Sequence, residues 1–330
     1  MTADPRPLVV LAGHIHPEAE AHLSASARVA VVAELTEARV VEAARDAQGI
    51  LVRGGPRCGE RLLRACPRLR VIGRHGVGLD TVDLGAATRL GVAVVHAPGS
   101  NSQAVAEHAL MLMLACAKRA RTIDRRTRAG DWSARHVVEN VELGGRTLGI
   151  LGIGNVGRRV ARFAAALGMR VLAYDPYVTA DEIRRRGAEP VPSLEALLPE
   201  VDVLTCHTPL TDETRHLINA KALALLKPGA IFVNTSRGPV QSEPALLEAL
   251  RSGRLAAAGL DVFEQEPSPL DNPLFNLDNV LCSTHVAGVT QEAHRIAGFQ
   301  VIDEMLRVLR GERPHVLANP EVWPRPASPR

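Results

Sequence analysis

Thr147-Leu-Gly-Ile-Leu-Gly152-Ile-Gly154-Asn155-Val156-Gly157-Arg-Arg-Val160 sets a Gly-x-Gly-x-x-Gly pattern directly after an apolar strand and at the mouth of a helix. In that setting Gly152 permits a tight turn, Gly154 lets backbone approach a pyrophosphate, and Gly157 lets helix and strand pack closely, while the helix N-terminus offers free amides and a positive dipole. A second strand, Arg170-Val-Leu-Ala-Tyr-Asp175, ends in an acid 18 positions after Gly157. A carboxylate there accepts hydrogen bonds from an adenosine ribose diol and repels a 2′-phosphate, so the reading is NAD rather than NADP. Arg158 and Arg159 lie inside the first helix and are expected to be solvated.

Outward from this segment, short β-branched runs alternate with longer Ala/Leu/Arg stretches, the pattern of an α/β protein with parallel sheets. Before it, strands are expected at Leu8–Ala12, Val29–Ala33, Gly49–Val52, Val71–Gly73 and Val92–Val95, with helical spacing in Thr36–Asp46 and Gly59–Ala65. Ser100 and Gln103 have the spacing of a capping box and open an apolar helix expected to run to about Arg128 and to link two domains. After it, strands are expected near Val201–His207, Ala230–Asn234, Ala256–Val262 and Val280–Cys282. A final helix over Gln291–Arg310 is expected to end at Gly311 and pack on the first domain, and the Pro-rich tail after Pro314 to be extended.

Composition sets limits. The 330 residues are 46% apolar, enough for two domains with their own cores, and the net charge of +3 argues against nucleic acid or an anionic membrane as partner. Aromatics at 3% leave little for base stacking, and the basic side chains are nearly all arginine, with lysine only at positions 118, 221 and 227. The cysteines at 58, 66, 116, 206 and 282 have neither disulfide-framework nor metal-ligand spacing, so no metal is expected and a reduced, cytoplasmic protein fits best. No signal peptide is visible, and the longest apolar run, Ala109 to Ala117, is short of the roughly 20 residues that span a bilayer.

Three segments of the second domain each follow an expected strand: Val233-Asn-Thr-Ser-Arg237-Gly238, Gly259-Leu-Asp261-Val-Phe-Glu-Gln-Glu266-Pro267 and Cys282-Ser-Thr-His285-Val-Ala-Gly288. Ligands of open α/β sheets bind beyond strand carboxyl ends, so Arg237, Glu266 and His285 are able to converge on one site. Together with Gly76-Val77-Gly78-Leu79-Asp80, Ala106-Glu107-His108 and His207-Thr208-Pro209-Leu210, these ordered motifs resemble the NAD-dependent D-2-hydroxyacid dehydrogenase family, over roughly Arg53 to Gly311.

The resemblance implies two Rossmann-like domains. A doubly wound NAD-binding domain, residues 101–287, is inserted into a flavodoxin-like substrate domain, residues 1–100 plus 288–330, with the site in the cleft. It implies that Arg237, Glu266 and His285 are catalytic, and that Thr208, Asp261, Gly288, Asn155 and Val156 line the cofactor site with the glycines and Asp175. Val77 and Gly78 would hold the substrate carboxylate by their amides. It further implies a homodimer through the NAD-binding domain, with a segment around Asp131–Leu143 reaching across; no appended regulatory domain is expected after Pro314. The chemistry asks for these types: a proton donor for the developing alkoxide, an acid to orient it, and a planar cation for carbonyl and carboxylate.

Among related chemistries, formate dehydrogenases carry Gln where Glu266 stands, and adenosylhomocysteine hydrolases need a site lysine that this chain lacks. A non-catalytic NAD-sensing protein on the same fold is the rival outside enzymology. Where the family usually has Val-Asp-Glu after the arginine motif, this chain has Gln241-Ser242-Glu243, a departure expected to leave activity intact. The small-molecule substrate is a 2-hydroxy or 2-oxo acid. Arg53 and Arg74, with Arg135 from a neighbouring subunit, favour a second anionic group and hence the D-3-phosphoglycerate/3-phosphohydroxypyruvate pair, with glyoxylate, hydroxypyruvate or another 2-oxo acid as the alternative.

Overall fold

Continuous apolar runs become strands buried on both faces, as parallel sheets require. In the computed structural model, which describes residues 4–323, β1 (Leu8–Ala12), β2 (Arg28–Val32), β3 (Gly49–Val52), β4 (Val71–Arg74) and β5 (Ala93–His96) form an all-parallel sheet in the order β2-β1-β3-β4-β5. This is the flavodoxin-like order. The two-residue period of a strand sorts the core: Val10 and Ala12 face the helices Glu37–Ala44, Glu60–Ala65 and Leu84–Arg89, whereas Val9 and Leu11 face Pro17–Ser26 and Gln291–Arg310. The last helix starts where Thr290 Oγ1 accepts from Ala293 N at 3.1 Å and stops at Gly311.

The second sheet holds β6 (Thr147–Leu151), β7 (Arg170–Tyr174), β8 (Glu189–Pro190), β9 (Val203–Cys206), β10 (Ala230–Asn234), β11 (Leu255–Leu260) and β12 (Val280–Cys282). All pairs are parallel, in the order β12-β11-β10-β9-β6-β7-β8. Strand order reverses between β6 and β9, the doubly wound switch point at which dinucleotides bind. Contacts divide the chain into two units: residues up to Asn101 and from Val289 onward form one, and Ser102–Gly288 the other. Each crossing falls one residue later than the sequence reading places it.

Three expectations need correction. The linking helix is not continuous to Arg128: it spans Ser102–Ala117, turns at Arg119 with φ of +51°, and resumes over Ala120–Arg128. The turn is held by the Arg119 guanidinium, which donates to Ala256 O of β11 at 2.5 Å. No capping box forms, because Ser100 Oγ donates to Ala97 O at 2.9 Å and Gln103 Nε2 to Glu107 Oε1 at 2.7 Å. The described part of the tail is docked rather than extended: buried Asn319 accepts from Val94 N at 2.8 Å and donates to Val92 O at 2.9 Å, followed by a helical turn at Pro320–Val322. The rest, residues 324–330, lies outside the described residues.

No helix among the described residues is long and apolar enough to cross a membrane. All five cysteines are free thiols, and burial pushes Cys58 and Cys116 up to about 12, so both stay protonated and unreactive at neutral pH.

Candidate active site

The buried strand β6 delivers its chain to Gly152, whose φ of +86° and close neighbours, His207 O and Thr208 Cγ2 each 3.0 Å from a notional Cβ, leave room for hydrogen alone. A Cβ on Gly157 would lie 2.3 Å from Gly152 O, whereas one on Gly154 meets nothing within 4 Å. The loop is thus tight against its own strand and open outward, the shape that admits a pyrophosphate. The helix Gly157–Ala166 begins here with no side-chain cap on its first amides, Val156 standing at its N-cap and Asn155 exposed on the loop.

Asp175, just beyond β7, accepts from Ile153 N at 3.0 Å through Oδ2 and from Tyr177 N at 3.1 Å through Oδ1. It therefore fastens the glycine loop. Arg158 is exposed as expected, but Arg159 is half-buried and donates to Asn155 O at 2.6 Å, because a residue one turn into the helix reaches back to the loop carbonyl. Beside Gly152, the buried Thr208 hydroxyl has no hydrogen-bond partner among the described residues. An orphaned hydroxyl next to an open glycine loop fits a dinucleotide in this place. The neighbouring His207 is not an acid or base near neutral pH, since burial lowers it to about 3.

Beyond β10, fully buried Asn234 organises the turn that carries Arg237. Its Oδ1 accepts from Ser236 N and Oγ, both at 2.8 Å, and its Nδ2 donates to Arg237 O and Gln241 Oε1, both at 3.0 Å. Gln241, the first residue of the departure from the usual Val-Asp-Glu, is itself fully buried and so fixes the Asn234 amide. A Cβ on Gly238 would fall 1.8 Å from Phe263 O, so only glycine lets this turn lie against the segment beyond β11. That segment brings Phe263 N to Glu266 Oε1 at 3.0 Å.

Beyond β12, His285 takes a left-handed conformation, φ +56°, a strained choice for a side chain with a Cβ. Asp261 imposes it. Its carbonyl accepts from His285 N at 2.7 Å, and its carboxylate, side chain 1% exposed, accepts from Ser283 Oγ, Val286 N and Ala287 N at 2.6–2.9 Å. Ser283 is in turn met by His108 Nε2 at 2.9 Å. The Asp261 carboxylate is thus directed at the chain that holds His285 and leads to half-buried Gly288.

The result is a hydrogen bond of 2.7 Å between His285 Nδ1 and Glu266 Oε2, with His285 Nε2 unpartnered among the described residues. The Glu266 hydrogen bond raises the His285 pKa, with burial opposing it. For Glu266, burial pushes upward, but the His285 and Phe263 hydrogen bonds and the charges of His285 and Arg237 prevail and hold it below the usual carboxylate value. Arg237 Nη1 donates to Ser236 O at 2.7 Å. An acid whose charged form is favoured, an anion orienting it and a guanidinium close enough to act on both can move a proton to or from an oxygen.

In the other unit, the Val77 and Gly78 amides have no backbone acceptor among the described residues. Arg74 Nη1 is turned back on its own loop, donating to His75 O at 2.7 Å and Val52 O at 3.4 Å. Arg53 donates to His14 O at 2.7 Å and lies 3.1 Å from His294 Nε2. Arg135 is exposed, its Nε on His136 at 2.9 Å. The sequence assigns no site role to Asn234, Gln241, Ser283 or His108, because a single polar side chain gives no signal of which backbone or neighbour it holds.

Comparison with known proteins agrees with this geometry. Residues 110–287 match the model of the D-isomer specific 2-hydroxyacid dehydrogenase, NAD binding domain. The chain is 40% identical over 304 residues to a D-3-phosphoglycerate dehydrogenase of Methanocaldococcus jannaschii, covering 92% of this chain and 58% of that protein. It is 42% identical over 264 residues to a glyoxylate reductase of Korarchaeum cryptofilum, 79% of each chain, and 38% identical over 272 residues to an (S)-sulfolactate dehydrogenase of Chromohalobacter salexigens, 82% and 88%. A solved D-lactate dehydrogenase of Aquifex aeolicus, complexed with NAD and lactic acid, is 29% identical with a TM-score of 0.79, over 92% of this chain and 96% of that one. The chain spans little more than half the length of the phosphoglycerate dehydrogenases it matches, 50–58%. With motif, sheet order and site geometry in agreement, the chain belongs to the D-isomer specific 2-hydroxyacid dehydrogenase family and carries that family's NAD-binding domain in its second unit.

Proposed function

We propose that the protein is an NAD-dependent oxidoreductase that interconverts a D-2-hydroxy acid and its 2-oxo acid. The observation that carries the reading is the 2.7 Å His285–Glu266 bond beside Arg237. NADH, when bound, supplies the hydride. The glycine loop, Asn155, Val156, Asp175 and the Thr208 hydroxyl are the groups suited to hold it. In reduction, His285 gives its Nε2 proton to the oxygen that becomes the hydroxyl, Glu266 keeps the imidazole charged until then, and Arg237 pairs with the substrate carboxylate and draws charge toward the carbonyl oxygen. Val77 and Gly78 would hold the same carboxylate by their amides. In oxidation His285 takes the proton back.

For the substrate, the D-3-phosphoglycerate/3-phosphohydroxypyruvate pair is favoured. It is supported by Arg53 beyond β3 and by the likeness to phosphoglycerate dehydrogenases; glyoxylate or hydroxypyruvate reduction is the alternative. Ranking kcat/KM over glyoxylate, pyruvate, hydroxypyruvate, phosphohydroxypyruvate and oxaloacetate tests this, and a top rank for an uncharged far end contradicts it. A homodimer through the second unit belongs to the same reading, supported by Trp132 and Val137, 72% and 62% exposed on the segment expected to reach across. Cytoplasmic location is favoured by the unpaired thiols.

Two outcomes follow from the cofactor and acid–base groups. NADH should exceed NADPH in kcat/KM by at least about tenfold, or about 1.4 kcal/mol. Asp175→Ala should narrow that gap and also raise KM for NADH, because Ile153 N loses its acceptor; equal use of both cofactors by the unmutated protein contradicts the assignment. Glu266→Gln removes the charge that raises the His285 pKa, so His285 loses its proton at lower pH. The alkaline limb of reduction should therefore move down in pH, and a limb that stays in place would separate Glu266 from His285.

A further inference from the structure

A second cluster of titratable side chains lies at the carboxyl edge of the first unit's sheet, the edge that also bears the Val77–Gly78 loop. Arg53 follows β3, His75 follows β4, and His294 stands in the first turn of the helix Gln291–Arg310. Arg53 Nη2 is 3.1 Å from His294 Nε2, His75 Nε2 is 3.2 Å from His294 O, and the two imidazoles meet edge to face at 5.7 Å. Arg53 is fixed from its other side by His14 O at 2.7 Å.

An imidazole nitrogen that faces a guanidinium must be unprotonated, and its neighbours enforce this. Burial, then the charges of Arg53 and His16, lower His294, while burial, then His294 and Arg53, bring His75 to about 4. The elements packed against this helix add Glu18, Glu20 and His22 on Pro17–Ser26, Arg74 at the end of β4 and His96 at the end of β5, with His14 and His16 just before Pro17; Glu18 is taken by Arg295 and His22 by Asp303, each at 2.8 Å. A guanidinium and a suppressed imidazolium side by side form a site whose missing component is an anion. Once an anion is present, both donate to it, and its attraction for the imidazolium outweighs the repulsion from Arg53 that otherwise keeps His294 neutral.

We infer that Arg53 and His294 together recognise the second anionic group of the substrate, a phosphate, sulfonate or carboxylate at the end remote from the reacting carbon, with His294 taking up a proton as that group binds. This rests on the dehydrogenase reading and deepens it. It moves the distal contact away from Arg74, whose Nη1 is committed to its own loop, and from Arg135, and onto a histidine that no motif marks.

The test uses the full chain. In NMR titrations of the imidazoles, with His294 assigned by its absence from the His294→Gln spectrum, millimolar inorganic phosphate should raise the His294 pKa by about one unit, and the rise should vanish in Arg53→Gln. In turnover, His294→Gln should lower the ratio of kcat/KM for phosphohydroxypyruvate to that for glyoxylate by about tenfold, chiefly through KM. A merely structural role would lower both substrates alike. An imidazole unmoved by phosphate, or an unchanged ratio, overturns the pairing. Absence of NADH oxidation with every 2-oxo acid instead defeats the dehydrogenase reading, while the phosphate titration still decides whether the pair binds an anion.

Discussion

Replacing His285 with alanine is expected to lower kcat for 2-oxo acid reduction by about 10²- to 10⁴-fold, the range contributed by a positioned general acid. The fall should lie in kcat, since His285 acts on the oxygen that changes charge in the transition state rather than on the carboxylate shared by substrate and transition state. NADH affinity should be nearly unchanged because the glycine loop and Asp175 belong to other loops of the same unit. Alanine also tolerates φ of +56° no better than histidine, so the backbone at 285 gains no relief and Asp261 still holds Val286 and Ala287. Steady-state kinetics checks this: a loss below tenfold, or one confined to KM, removes His285 from proton transfer.

Gly238→Ala is expected to cost about 10²-fold in kcat/KM without touching any reacting group. The new Cβ would overlap Phe263 O, 1.8 Å away, so the turn carrying Arg237 and the segment leading to Glu266 must separate by an ångström or more. Misplacement on that scale is worth about two orders of magnitude in a site built on orientation. Neither segment can yield easily, since Asn234 and Gln241 hold one and the Phe263–Glu266 bond the other. Overpacking of about 1–3 kcal/mol should also lower the thermal midpoint by a few degrees. Kinetics and a melting curve measured together separate this from unfolding, and full activity in the variant contradicts the packing argument.

Much of this was legible because buried parallel strands write themselves as uninterrupted Val, Ile and Leu runs, and because a glycine loop, an acid after the next strand, and Arg, Glu and His after three further strands fall into register once a parallel sheet is assumed. The misreadings share one cause: a distant group decides a local conformation. Arg119 ends its helix because Ala256 O is within reach, and Ser100 turns to Ala97 instead of capping. The backbone role of Asp261, whose carboxylate accepts from Val286 N and Ala287 N, is likewise set by a distant strand end and leaves no mark in the spacing. Asn234, Gln241 and His294 are single polar residues whose partners come from other elements or from several positions along the chain, so spacing alone cannot reveal them.

The most direct measurement is NADH oxidation by the purified chain across the 2-oxo acid panel, run beside His285→Ala, with the configuration of the product determined. At least one 2-oxo acid should be reduced, the product should be the D-2-hydroxy acid, and the rate should fall in the variant by about 10²-fold or more. No oxidation of NADH above the His285→Ala background with any 2-oxo acid would contradict the proposed chemistry and leave the fold as a nucleotide-binding module without turnover.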